Sequence, residues 1–167
     1  MTSETLFSLD SKSIQTREGL KVNILHIVKP STLSESLQNQ VARAIVKITF
    51  PVLRETKGYL EAVLNDIRSD SIKLSLIFLG TEIIGFAQII DNSNEDGVTL
   101  DKIIISDQYK RRGIARLIII ELQNIYNSIS VCNSPNNPAA KPGMISLYRQ
   151  LGFNEGTYPD QFVWRRN

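Results

Sequence analysis

Leu100–Leu122, "LDKIIISDQYKRRGIARLIIIEL", decides how the rest of the chain must be arranged. Residues 98–105 are rich in β-branched side chains, which predicts a strand. Lys110, Arg111 and Arg112 then abut Gly113, and a long apolar run follows. Ile114, Leu117, Ile118, Leu122 and Ile125 recur at helical spacing, and Ile119 and Ile120 widen the stripe. The spacing predicts a largely buried helix over about 112–126. A glycine turn between strand and helix leaves unpaired backbone N–H groups at the helix start, where the helix dipole adds partial positive charge. Phosphate binds such a place well. Gly113 lets an anion approach the backbone, Ala115 is small, and Lys110, Arg111, Arg112 and Arg116 surround the point with charge. On spacing alone, a solvated cationic patch is the other reading.

Working outward, two strands at 72–79 and 82–90 are joined by Gly80-Thr81, a hairpin turn, and Asp91 to Gly97 is turn chemistry. Residues 21–29 form a strand. Thr32 and Glu35 then make a T-x-x-E capping box before Leu33, Leu37, Val41, Ile45 and Ile48, which predict a helix over 33–49. Phe50-Pro51 ends it. Leu60, Val63, Leu64 and Ile67 mark a second helix over 57–69. A short strand is expected at 128–132, a proline-bearing loop in SPNNPAAKPG, a helix at 143–151 and strands at 153–158 and 161–166. Residues 1–19, rich in Ser, Thr and charge, are expected as a flexible leader to a single domain over 20–167. The order β-α-α-β-β-β-α-β-α-β-β is that of an α/β (α+β) fold: a mixed sheet with helices on its faces.

The bulk numbers bound the function. With 167 residues, 42% apolar and 22% charged, the chain suits one globular domain able to hide roughly 70% of its unfolded surface. A net charge of +2 gives no support for coating nucleic acid as the main task. Cys132 is the only cysteine, which rules out an internal disulfide and fits a reducing, cytoplasmic setting; it is expected as a small buried hydrophobe. His26 is the only histidine, set in the strand KVNILHIVK away from any partner motif. One Cys and one His exclude a Cys/His zinc site and leave no Ser-His-Asp arrangement to defend, so no metal is expected. The N-terminus has no basic-then-apolar signal pattern and no run approaches the ~18 apolar residues of a membrane span, so no membrane partner is expected.

A second motif lies downstream: "ISLYRQLGF", Ile145 to Phe153. Taken together, Lys110-x-x-Gly113-x-Ala115 after a strand, and L-Y-x-x-L-G-F about 30 residues later, resemble motifs A and B of the GNAT superfamily, the acyl-CoA-dependent N-acyltransferases. The element order is similar too, so the resemblance covers about residues 21–166. It implies a mostly antiparallel sheet of about seven strands with four helices, in which strands 98–105 and 128–132 splay apart around acetyl-CoA. The implied cofactor contacts are the backbone of Ile103 and Ile105 for the pantetheine arm, and Lys110, Arg111, Arg112, Gly113, Ile114, Ala115 and Arg116 for the pyrophosphate. Lys110 replaces the family's Gln or Arg, a point charge for a bidentate group.

An ammonium has no lone pair, so the acceptor amine must lose a proton before attack, and a carboxylate acting through water can take it. Asp101 matches a strand position where many relatives carry glutamate; on strict alternation it shares a face with Ile103 and Ile105, and a bulge would change that face. Glu61, Glu95 and Asp96 are weaker alternatives. Tyr148 matches the motif B tyrosine, which implies a hydroxyl near the coenzyme sulfur; its ordinary role is packing. Leu151 and Phe153 are expected in the core. The sequence departs from the family where Lys141 and Met144 replace the usual Asn and Ala, so Asn137 or Asn133 takes the pantetheine contact. Transfer of an acetyl group to a primary amine, on a small molecule or a protein, is the leading function. A non-catalytic coenzyme-binding domain of the same fold, an acceptor on tRNA-linked amines, RNA gripped by the cations, and a homodimer are the further expectations; few aromatics accompany the cations, which weakens the RNA case. Tyr59, Phe50 and Glu61 are expected to line the acceptor side, hinting at a cationic or amphipathic amine.

Overall fold

The computed structural model describes residue 9 and residues 11–49, 57–92, 97–132 and 141–167. Among these residues, eight strands form one sheet in the order β1-β2-β3-β4-β5-β6-β8-β7. They are β1 (Lys12–Gln15), β2 (Lys21–Ile27), β3 (Ile72–Leu79), β4 (Glu82–Asp91), β5 (Val98–Ile105), β6 (Ser128–Cys132), β7 (Asn154–Glu155) and β8 (Gln161–Arg165). The helices are α1 (Glu35–Thr49), α2 (Lys57–Ile67), α3 (Ile114–Ile125) and α4 (Lys141–Gln150). Every pairing is antiparallel except β5 with β6, which is parallel.

The sheet is buried on both faces by two separate apolar clusters. One face carries Val22, Ile24, Ile77, Ala87, Leu100, Val131 and Phe162 beneath Ile114, Ile118 and Leu122 of α3, with Tyr148 of α4. The other packs Leu25, Leu74, Leu76 and Phe86 against Leu37, Val41 and Ile45 of α1 and Val63 and Ile67 of α2. Burial on both sides explains why β3 and β4 read as continuous apolar runs, not as alternating ones. Gly80 turns the β3–β4 hairpin at φ +62°, a backbone state that its missing Cβ makes cheap.

Three expectations need correction. Lys12–Gln15, placed by sequence in the loose leader, pairs with Lys21–Ile24 as β1. Four residues with one apolar side chain are too short a pattern to announce a strand; β1 forms because Ile14 packs on the first cluster and Lys12 Nζ bonds Glu121 at 3.0 Å. Thr32 does not cap α1. Its hydroxyl donates to the Lys29 carbonyl at 2.7 Å inside a 3-10 turn, Pro30–Thr32, and the Ser34 hydroxyl accepts from the Leu37 N–H at 3.2 Å. Cys132 is exposed. Ile129 and Val131 belong to the first cluster, so strand alternation turns Cys132 to the opposite face.

Candidate functional site

The β5–β6 pairing runs only through Val98↔Ile129, Thr99↔Ser130 and Leu100↔Val131. Beyond it, β6 continues against β8 to Cys132↔Gln161, while β5 continues against β4 to Ile105↔Gly85. The two strands therefore part immediately after Leu100. Among the described residues, the edge of β5 from Lys102 to Ile105 faces the gap without a strand partner, its backbone placed to pair with an extended ligand.

The parting coincides with a bulge. Gln88 opposes Lys102 and Ile89 opposes Leu100, so Asp101 is the extra residue on β5. The inserted residue changes the parity of the strand. Leu100, Ile103 and Ile105 all pack on the α3 side, whereas Ile104 packs under α1 and α2. Asp101 does not share the face of Ile103 and Ile105, as strict alternation had it. Its Oδ2 accepts a 3.1 Å hydrogen bond from Gln88 Nε2, and Gln88 lies between Ala87 and Ile89 of the α3-side cluster, hence on the opposite face. That face is polar around the seam: the Thr99 hydroxyl donates to Asn92 Oδ1 at 2.7 Å and lies 3.2 Å from Ser130 Oγ.

At the far end of β5, a 3-10 turn over Asp107–Tyr109 leads to the start of α3. Arg111 and Gly113 both take positive φ, +61° and +80°. Alternating positive-φ residues curl successive N–H groups toward one point, an anion-binding concavity, and a non-glycine residue held there is a strain worth a functional explanation. The first intrahelical bond runs from the Leu117 N–H to the Gly113 carbonyl at 3.1 Å, and no side chain caps the helix. The N–H groups of Ile114, Ala115 and Arg116 thus have no acceptor among the described residues. Lys110, Arg111 and Arg112 are exposed around this point. Lys110 Nζ pairs with Asp107 at 2.7 Å, Arg112 lies 5.8 Å from the Tyr109 ring centre, and Arg116 Nη1 reaches Gln150 Oε1 at 3.5 Å. One acidic group intrudes: a Cβ built on Gly113 would lie 2.7 Å from Glu18 Oε2, at the tip of the β1–β2 hairpin.

Tyr148 projects from α4 into the α3-side cluster, 2% exposed, with its ring 5.3 Å from Phe153 and 5.7 Å from Phe162. Burial pushes its phenol up to about 12, so it stays protonated at neutral pH. A phenol that basic cannot fully hand its proton to a thiolate of ordinary pKa near ~8.5, so a hydrogen-bond donor is the role it suits. Of the other candidates, Phe153 is buried as expected, and Leu151 is half-buried against the same cluster. Glu61 is exposed on α2. Lys141 pairs with Asp160 at 2.8 Å and Met144 packs against the core. Asn133, Asn137, Glu95, Asp96 and Phe50 lie outside the described residues.

Three residues escaped the sequence reading. Gln88 is the lone polar residue in the run "IIGFAQII", which was the signal that could have found it. Glu18 had no signal beyond a hairpin turn of unknown position. Glu121, inside an apolar helical stripe, joins Lys12 Nζ at 3.0 Å and sits 4.0 Å from His26 Nε2, while His26 Nδ1 lies 2.7 Å from Ser75 Oγ. Ser75 is 1% exposed, so its hydroxyl is closed to a substrate and this Ser-His-Glu set is a structural link between β2, β3 and α3. Burial lowers the His26 pKa below its usual 6.5; Glu121 opposes that shift and Lys12 adds to it. Among the described residues no cluster of His, Cys, Asp or Glu could hold a metal ion, and no helix is long and apolar enough to cross a membrane.

Residues 16–163 match the family model described as the acetyltransferase (GNAT) domain. No curated protein sequence matches the chain. Among solved structures, the GNAT domain of PAT from S. lividans superposes with TM-score 0.66 at 13% identity, covering 93% of this chain and 97% of that one. The PaiA N-acetyltransferase of Thermoplasma acidophilum, solved in complex with coenzyme A, gives 0.56 at 17% identity, with 85% and 96% covered. The ribosomal-protein-S18-alanine N-acetyltransferase of Escherichia coli gives 0.57 at 20% identity, with 85% and 90% covered. At these identities the likeness speaks for the fold, and the family match supplies the rest. Eight strands and four helices in this topology, a sheet that parts after Leu100, an uncapped helix behind Gly113 and a domain match across residues 16–163 make the chain a member of the GNAT acetyltransferase family.

Proposed function

We propose that the protein is an N-acetyltransferase that moves the acetyl group of acetyl-CoA to a primary amine within a ternary complex. The observation that carries this reading is the uncapped start of α3, with three free N–H groups and a ring of cations, at one end of a strand whose other edge is open. A diphosphate on the amides of Ile114, Ala115 and Arg116, screened by Lys110, Arg111 and Arg112, would lead its pantetheine arm along the backbone of Ile103 and Ile105. The arm would end near the parting point at Leu100, beside the bulge that carries Asp101.

The chemistry then follows from the groups present. The acceptor arrives as an ammonium from the α1–α2 face. Asp101, directly or through water, takes one proton and frees the lone pair. The amine nitrogen attacks the thioester carbonyl; the C–N bond forms, the C–S bond breaks, and the nitrogen sheds its second proton to solvent. The departing sulfur accepts a hydrogen bond from the Tyr148 hydroxyl and leaves as the free thiol after protonation. Most of the acceleration comes from holding two reactants together in the gap between the parted strands. A small molecule or a protein N-terminus can supply the amine. The single thiol and an acyl-CoA co-substrate fit the cytoplasm.

Calorimetric titration with acetyl-CoA, followed by thiol release with a panel of amines, tests the reading. Gly113→Glu fills the seat with like charge and is expected to abolish binding. Unchanged affinity in that variant would place the diphosphate elsewhere.

A further inference from the structure

The Asp101 carboxylate has one hydrogen-bond partner among the described residues, and that partner is neutral. We infer that Gln88 is a positioning residue for Asp101: its buried amide fixes the carboxylate at the β5 bulge without lending it a compensating charge. This rests on the reading of Asp101 as the proton acceptor.

Gln88 is 5% exposed, in the middle of β4, with Ala87 and Ile89 buried on either side. An apolar residue would suit that place better, since a buried amide must find partners or lose its hydration uncompensated. A polar side chain that breaks the local pattern is expected where function demands it. Its Nε2 donates to Asp101 Oδ2 at 3.1 Å, leaving Oδ1 uncommitted. The bulge makes this contact possible. Without the extra residue Asp101 would sit in regular register on β5; with it, Gln88 faces Lys102 in the ladder and its side chain reaches the bulged neighbour.

The available cation is turned away. Lys102 follows Asp101 directly, yet its Nζ is directed to Asp66 Oδ2 of α2 at 3.9 Å. A lysine on Asp101 would hold the carboxylate equally still but would favour its ionised form strongly, making it a poorer proton acceptor. A neutral amide gives orientation at a smaller electrostatic cost. Lys102, the cation next in sequence to Asp101, is thus engaged with Asp66.

The test uses the full chain with acetyl-CoA and its best amine. Gln88→Met keeps the volume and deletes the donor. Turnover is expected to fall about ten- to a hundredfold, as for a reacting group displaced by a fraction of an ångström to 1 Å, with acetyl-CoA affinity unchanged and the acid limb of the pH–rate profile moved to higher pH. Gln88→Met placed on Asp101→Asn should add no further loss. If Gln88→Met fails to fold, Gln88→Glu keeps the shape and should move the acid limb further up, because two carboxyls then share a site. Wild-type turnover and an unmoved profile in the Gln88 variant, beside a crippled Asp101→Asn, would overturn the positioning role. Wild-type turnover in Asp101→Asn would overturn the underlying assignment of the proton acceptor instead.

Discussion

Replacing Gly113 by alanine separates what the turn before α3 costs from what it offers. Gly113 holds φ +80° and ψ 10°, the left-handed region, as the N-cap of α3. An L-residue there costs roughly 1–2 kcal/mol. In a domain of this length each kcal/mol moves the melting temperature by about 2–4 °C, so Gly113→Ala is expected to melt about 2–8 °C lower. The new Cβ would also come within 2.7 Å of Glu18 Oε2, but that oxygen ends an exposed, flexible side chain and can swing clear. Gly113→Ala should therefore destabilise nearly as much in a Glu18→Ala background, measured by circular dichroism. A cost that vanished in that background would show that the contact, and not the backbone angle, sets the preference for glycine. The same pair of variants reports on the cofactor. The Glu18 carboxylate lies where a phosphate is expected, so Glu18→Ala should tighten coenzyme A binding several-fold by calorimetry, and weaker binding would refute a shared seat.

Tyr148→Phe should lower turnover more than cofactor affinity, by about ten- to a hundredfold, and unchanged turnover would remove the hydroxyl from the mechanism. The same variant carries a stability signature. The folded phenol titrates at about 12 against 10 unfolded, so its contribution is fully present below pH 10 and lost as pH rises toward 12, about 2–3 kcal/mol in all. Thermal melts across that window should show a shallower alkaline loss in Tyr148→Phe; part of the loss will remain, because burial raises Tyr126 as well. His26 acts at the other end of the scale. Its folded pKa lies below 6.5, so the unfolded chain binds more protons and stability falls as pH drops from 6.5 through the folded value. His26→Gln should flatten that acid slope, and an unaltered slope would assign it to other groups.

Long, strongly periodic segments were legible in the sequence, and local exceptions were not. Strands 98–105 and 128–132 match β5 and β6 residue for residue, because Val98–Ile105 and Ser128–Cys132 are each bounded by turn chemistry. The start of α3 behind Gly113 was legible because a glycine between a strand and an apolar helical run marks the turn. The face of Asp101 hinged on whether β5 carries a bulge: strict alternation puts it with Ile103 and Ile105, one inserted residue reverses that, and nothing in "VTLDKIII" marks the insertion. Ser34 beat Thr32 as the α1 cap because Pro30 starts a 3-10 turn that uses up the Thr32 hydroxyl. Long-range pairs such as Lys12 with Glu121, or Gln88 with Asp101 across the ladder, depend on which segments become neighbours, and no local pattern states that.

The short β5–β6 pairing leaves the two parts of the sheet lightly joined. Three residue pairs stitch a five-strand slab, β1 to β5, to a three-strand slab, β6 to β8, and the rest of the join relies on side chains beneath α3. A pantetheine arm lying in the cleft would act as mortar between the slabs. Hydrogen exchange should accordingly slow at Lys102–Ile105 and along β6 when coenzyme A is added, and the melting temperature should climb with its concentration.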